Sequence, residues 1–167
     1  KRIPIKIDPG MAFGTGTHPT TQLCLELMEK AFDGGRRTED GGKTSVLGPS
    51  SSVIDIGCGS GILSIAALKL GAKTVLGVDI DIESVKNSRE NADTNGVGEE
   101  LILGQGSVTE VLSGKFPFKS APLVVANILA PIIIRLFDAG LAELVEPNGE
   151  IILSGILAHQ LMGKDST

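Results

Sequence analysis

The residues 53–61, Val-Ile-Asp-Ile-Gly-Cys-Gly-Ser-Gly, hold the densest set of features able to do chemistry. An apolar run carries an acid, and Gly57, Gly59 and Gly61 follow at alternate positions. Glycines let a backbone turn tightly and approach a ligand closely. A dinucleotide site expects Gly-x-Gly-x-x-Gly, so that a pyrophosphate rests on the next helix N-terminus. Here the spacing is Gly-x-Gly-x-Gly, with Asp55 two residues before the first glycine. A carboxylate at that strand end repels a pyrophosphate and welcomes a cationic group. S-adenosylmethionine offers an ammonium beside a sulfonium. Charge type therefore favours this methyl donor over NAD, with Asp55, Gly57 and Gly59 as its candidate holders.

A second acid follows at the next apolar run. In Gly77-Val78-Asp79-Ile80-Asp81, Asp79 lies 22 residues after Gly57. An acidic side chain there can accept from both ribose hydroxyls. Alternation sends Asp81 away from the cleft and makes it the better helix cap. The fourth apolar run, Val124-Val125-Ala126, ends in Asn127. Strand carboxyl ends face the ligand crevice in a doubly wound sheet, so Asn127 is expected near the transferable methyl.

Amine methylation is an in-line displacement that needs a neutral nitrogen lone pair. At pH 7 deprotonating a free lysine costs about 4.6 kcal/mol, and an α-amine about 1.4 kcal/mol. An Asn carbonyl can hold the amine N–H in line, while desolvation disfavours the ammonium. Asn127 is the candidate for that catalytic role.

The run Gly14-Thr-Gly-Thr-His-Pro-Thr-Thr21 offers hydroxyls and amides able to close over the donor. His18 within it is read as a structural hydrogen-bonding residue, with a catalytic base as the alternative. Cys58 is read as packed volume, having no His in sequence reach. Gly106-Ser107 stands where an adenine edge would be read.

The remaining chain must position these groups. Its 167 residues are 41% hydrophobic and 21% charged, which fits one globular domain and excludes a disordered chain. Aromatics are 3%, with no Trp or Tyr, so the core is aliphatic and base-stacking platforms are poorly supplied. The net charge of −5 argues against a free-standing nucleic-acid binder. Cys24 and Cys58 are too few for a disulfide framework and match no zinc spacing, so a reducing compartment and no metal are expected. The longest apolar stretch, 123–134, is interrupted by Asn127 and Pro131 and is too short to cross a bilayer. No secretory signal opens the chain, and a cytoplasmic α/β domain without a membrane partner is expected. The start at Lys1 reads as an excised or processed segment.

Ile3, Ile5 and Ile7 alternate as a half-buried strand would. A helix follows with Leu23, Leu27 and Ala31 on one stripe and Cys24 and Met28 beside it, capped by Thr17, with Pro19 in its first turn. Residues 34–52 lack a hydrophobic period and read as a long loop. Strands are expected at 53–56, 74–78, 101–103, 123–126 and 151–153. Helices are expected at 62–70, 82–95 and 130–145, with another from about Ile156. Apolar strands alternating with helices predict a doubly wound, mostly parallel sheet covered on both faces.

With these residues in hand, the chain resembles the bacterial methyltransferases of large-subunit ribosomal protein eleven, class I S-adenosylmethionine enzymes. The resemblance rests on residues 7–25, 53–72, 77–81, 125–130 and 153–157. The run Phe-Gly-Thr-Gly-Thr-His-Pro-Thr-Thr together with Ala-Asn-Ile-Leu-Ala is its most specific part. It implies a Rossmann-like catalytic domain over 1–167 and cofactor contacts at Thr21, Gly57, Asp79 and Asn127. It also implies methylation of α- and ε-amino groups of the ribosomal protein. That family carries an N-terminal substrate-recognition domain and further C-terminal strands, both missing from 1–167, so the domain reads as truncated. Residues 151–153 are then expected to border an unpaired sheet edge. Competing readings are another protein or small amine as acceptor, a nucleobase nitrogen, a nicotinamide oxidoreductase, and an inactive cofactor-binding fragment. Asn127-Ile128-Leu129-Ala130 lacks the aromatic that nucleobase methylases place after their Asn.

Overall fold

A computed structural model describes residues 2–8, 10, 15–33 and 47–155 of the chain. Apolar strands and helices alternate through it. In order they are α1 (Pro19–Asp33), β1 (Ser52–Ile56), α2 (Ile62–Leu70), β2 (Thr74–Asp79), α3 (Ile82–Thr94), β3 (Leu101–Gln105), α4 (Val108–Leu112), β4 (Ala121–Asn127), α5 (Ala130–Asp138), a 3-10 turn (Leu141–Leu144) and β5 (Val145–Ser154). The strands form one parallel sheet in the order β3-β2-β1-β4-β5. The order reverses between β1 and β4, and the crevice of such a sheet opens at the carboxyl ends of those two strands.

Alternation along fully buried strands builds two cores. Val53, Val75, Leu101, Leu123, Val125 and Ile152 meet Cys24, Met28, Ile65, Ala66 and Ala92 on one face. Ile54, Ile56, Leu76, Val78, Val124 and Ala126 meet Val108, Val111, Leu136, Leu141 and Leu144 on the other. Helix α2 is buried on nearly all sides, as a helix between sheet and neighbouring helices must be. The doubly wound expectation holds.

Local expectations fare less evenly. Residues 2–8 form no strand. Their backbone docks instead on α3 through Asn91 and Asn95. In α1 the buried stripe is Thr21, Cys24, Met28 and Ala31, whereas Leu23 and Leu27 are 53% and 41% exposed. The buried face is thus a fraction of a turn from the expected Leu stripe, with Ala31 common to both.

The helix expected over 130–145 is interrupted. Gly140, at φ 104, ends α5, and the 3-10 turn Leu141–Leu144 leads directly into β5. The turn expected at Pro147–Gly149 is a bulge inside β5, with Asn148 at φ 63 and the register against β4 shifting between Ala121 and Leu123. β5 ends the sheet order, with β4 its neighbour among the described residues. The short α4 was not anticipated. The helix expected near Ile156 and most of the loop 34–52 lie outside the described residues.

Candidate functional site

The glycine turn joins β1 to α2 at the centre of the sheet. Gly57, Gly59 and Gly61 have φ of 75, 55 and 82, a region that side chains with a Cβ rarely enter. The turn is fastened to β2, because the Gly57 and Cys58 N–H groups both donate to the Val78 carbonyl, at 2.8 and 3.0 Å. A Cβ on Gly57 would stand 3.2 Å from Ile128 Cδ1, so the residue after Asn127 packs on the first glycine. A Cβ on Gly61 would meet Ser88 Oγ at 2.9 Å and Ser88 Cα at 3.2 Å. Gly61→Ala is therefore expected to lower unfolding stability by about 2 kcal/mol, from strain and crowding together. Gly71→Ala, at φ 114 with nothing within 4 Å, carries strain alone. Thermal unfolding should show the smaller loss for Gly71→Ala, and equal losses would remove the Ser88 contact from the account.

Asp79 ends β2 beside this turn. Its Oδ2 accepts from Gly59 N–H at 2.9 Å and its Oδ1 from Asp81 N–H at 2.9 Å. A carboxylate has about four acceptor positions, so capacity remains for further donors. Asp81 caps α3 as expected, accepting from Glu83 N–H at 3.0 Å and Ser84 Oγ at 3.3 Å. Gly106 N–H donates to the Asp79 carbonyl at 2.9 Å. Ser107 opens α4, with its N–H on Glu110 Oε2 at 2.7 Å.

Asn127 ends β4, and its Nδ2 donates to Thr21 Oγ1 at 3.1 Å across 106 positions of sequence. Thr21 is 2% exposed, so α1 enters at the carboxyl end of β4. The Ser154 hydroxyl, paired with Asn127 in register, donates to the Thr20 carbonyl at 3.3 Å. With Nδ2 on Thr21, Oδ1 is the remaining polar atom of the Asn127 amide. Thr21, Gly57, Gly59, Asp79 and Asn127 thus gather at the carboxyl ends of β1, β2 and β4.

Asp55 does not join them. It is 1% exposed and accepts from Ser64 Oγ at 2.6 Å. Alternation along β1 turns it onto the face that α2 covers. Burial pushes its pKa up from 3.8 to about 6; the Ser64 hydroxyl pulls it down and the nearby Asp79 charge raises it.

His18, rather than Thr17, caps α1. Its Nδ1 accepts from Thr20 N–H at 3.3 Å and lies 2.7 Å from Thr20 Oγ1, which places the proton of the neutral ring on Nε2. Thr17 Oγ1 lies instead 2.7 Å from Thr15 Oγ1. The catalytic-base alternative finds no support in that geometry. Burial, and then the charge of Asp55, raises the Cys58 thiol above its ordinary range, and burial pushes Cys24 up to about 11. Both cysteines are packing residues. A groove lined by Leu27, Lys30, Ala31 and residues 150–153 lies between α1 and β5 and contains none of the candidate residues.

Three residues of the site escaped the sequence reading. Ser64 holds Asp55, Ser88 Oγ donates to the Gly59 carbonyl at 2.7 Å, and Asn91 Nδ2 donates to the Ser60 carbonyl at 2.9 Å. The spacing of Asn87, Asn91 and Asn95 at every fourth position was the available signal for the last.

Comparison with known proteins bears directly on this arrangement. A family model described as "Ribosomal protein L11 methyltransferase (PrmA)" matches residues 1–163. A curated protein named ribosomal protein L11 methyltransferase, from Haemophilus influenzae (strain PittEE), is 47% identical over 159 residues, covering 95% of this chain and 46% of its own. A protein of the same name from Citrifermentans bemidjiense is 48% identical over 157 residues, covering 93% and 46%. The chain thus spans about half the length of the curated relatives it matches. A crystal structure described as a ribosomal protein L11 methylase, from Lactobacillus delbrueckii subsp. bulgaricus, superposes with TM-score 0.72 at 38% identity, over 95% of this chain and 69% of that one. An RNA methyltransferase from Salinibacter ruber, solved with S-adenosyl-L-homocysteine, superposes with TM-score 0.59 at 25% identity, over 81% of this chain and 76% of that one. The family model spans nearly the whole chain and the curated relatives cover more than nine tenths of it: the chain belongs to the ribosomal protein L11 methyltransferase family.

Proposed function

We propose that the chain binds S-adenosylmethionine over its glycine turn and methylates amino groups of large-subunit ribosomal protein eleven, in the cytoplasm. The observation that carries the reading is the glycine turn held by Asp79, with the Gly59 N–H on its Oδ2. The fit to the donor rests on this structure. Three positive-φ glycines shape the turn, a Cβ on Gly57 or Gly61 would press on Ile128 or Ser88, and Asp79 retains acceptor capacity for two hydroxyls. Asp55 adds negative potential from below without touching the ligand. The Salinibacter relative, solved with the demethylated product, supports the same ligand class. When bound, the donor supplies an electrophilic methyl on a sulfonium.

The chain's own residues do the rest. Gly57 and Gly59 allow close backbone approach, and Asp79 accepts from the ribose. Asn127 Oδ1 accepts one N–H of the acceptor amine and aims its lone pair, while Thr21 keeps the Asn127 amide from rotating. The proton leaves the amine for water before transfer, so no side-chain base is required.

Calorimetric titration with S-adenosylmethionine and with NADH tests the ligand class, and NADH preference would overturn it. Mass spectrometry of ribosomal protein eleven after incubation with this chain, with a full-length relative as control, tests the acceptor. Asp79→Ala is expected to weaken donor binding by about 1.5 kcal/mol, roughly tenfold in Kd, the low end for a partly exposed charged hydrogen bond. Unchanged affinity would take Asp79 out of the site.

A further inference from the structure

Helix α3 carries Asn87, Asn91 and Asn95 on one face, and all three address the backbone of the N-terminal segment. Asn95 Oδ1 accepts from Lys6 N–H at 3.0 Å and its Nδ2 donates to the Lys6 carbonyl at 2.6 Å. Asn91 repeats that pattern on Asp8, with Oδ1 accepting from its N–H and Nδ2 donating to its carbonyl, both at 2.9 Å. Asn87 Nδ2 adds a third donor to the Asp8 carbonyl at 3.1 Å. The match is geometric. Four helical residues rise about 6 Å, and two extended residues span about 6.6 Å.

The rungs are not equivalent. Asn95 Nδ2 is otherwise spent on the Asn91 carbonyl of its own helix, at 2.7 Å. Asn91 is 2% exposed, and its Nδ2 also reaches the Ser60 carbonyl inside the glycine turn at 2.9 Å. One side-chain amide therefore fastens Asp8 to the turn. The hydrogen bonds of Asn95 go to Lys6 and the Asn91 carbonyl, and that of Asn87 to Asp8.

We infer that Asn91 is a positioning residue for the donor site: it couples the seating of residues 6–8 on α3 to the conformation of the glycine turn. The inference rests on the donor-site reading above. Linkage makes the coupling reciprocal, so donor on the turn tightens the docked segment, and a loosened segment weakens the donor.

The 167-residue chain supplies the test, by amide hydrogen exchange in NMR and calorimetry with S-adenosylmethionine. Without ligand, Asn91→Ala should speed exchange at both Asp8 and Gly61, whose N–H closes the turn on the Cys58 carbonyl. Asn95→Ala should speed Lys6 and leave Gly61 unchanged. With donor, the wild-type Asp8 amide should slow at least fivefold alongside the turn amides. Asn91→Ala should weaken donor at least tenfold and Asn95→Ala less than twofold. Asn91→Asp, equal in size but without the Nδ2 donor, should weaken it as much as Asn91→Ala. It is the variant to read if alanine unfolds the chain.

Turn amides that slow while Asp8 does not, or donor affinity within twofold in both Asn91 variants, would overturn the coupling and leave the donor reading intact. Absence of any donor binding by wild type would overturn the donor reading instead. The ligand-free comparison then still decides the coupling: a Gly61 amide unmoved in Asn91→Ala ends it.

Discussion

Asn127→Ala is expected to lower methyl transfer about 10²-fold, the loss typical of a misplaced reacting group, while donor Kd changes only a few-fold. Asn127 is the last residue of β4, a strand buried along most of its length, so its Cα is held rigidly. Its Nδ2 is committed to Thr21, which leaves Oδ1 as the acceptor. Removing that oxygen leaves the amine free to rotate its lone pair off the line of attack, without touching the glycine turn or Asp79. The loss should therefore fall on kcat rather than on ground-state binding. Initial rates with labelled donor and ribosomal protein eleven, set beside calorimetric donor affinity, give the two numbers. Equal losses would make Asn127 a donor-holding residue only. Thr21→Val, nearly equal in volume, should move kcat in the same direction by less, since it keeps Oδ1 and frees its orientation.

Asp55 should impose a pH dependence on folding that Asp55→Asn removes. Its pKa is raised from 3.8 to about 6 in the folded chain, so the folded state holds the proton more tightly than the unfolded state. That contribution to stability is fully present below 3.8 and is lost as pH rises through about 6. The whole shift corresponds to about 3 kcal/mol, of which about 2 kcal/mol falls between pH 4 and 7. Denaturant unfolding of wild type and Asp55→Asn at several pH values isolates it, because other carboxylates cancel in the difference. The stability of wild type relative to the variant should fall by that amount over the interval. A difference independent of pH would mean that Asp55 is not held in the apolar layer under α2. The residue thus costs the fold stability at neutral pH.

Much of this was legible from residue order. Short apolar runs separated by helical periods dictate a parallel sheet, since only a sheet covered on both faces buries such runs. Gly-x-Gly-x-Gly after the first run, Asp79 after the second and Asn127 after the fourth mark strand carboxyl ends, where topology places a crevice. Phe-Gly-Thr-Gly-Thr-His-Pro-Thr-Thr and Ala-Asn-Ile-Leu-Ala added the family, and with it Thr21.

What linear order withheld is whatever depends on which neighbour arrives through space. The side of β1 that meets Ser64 decides that Asp55 is an interior acid. The approach of α1 to the ends of β4 and β5 buries Thr21, Cys24 and Met28 and leaves Leu23 and Leu27 outside, a phase that apolar spacing cannot resolve when two adjacent stripes are both apolar. Ile3, Ile5 and Ile7 alternate as a strand does, yet α3 offers side-chain amides to that backbone and no sheet edge does. Periodicity reports which faces are apolar. Hydrogen-bond partners distant in sequence, such as Thr21 with Asn127 or Asn91 with Asp8 and Ser60, exist only after the chain has packed.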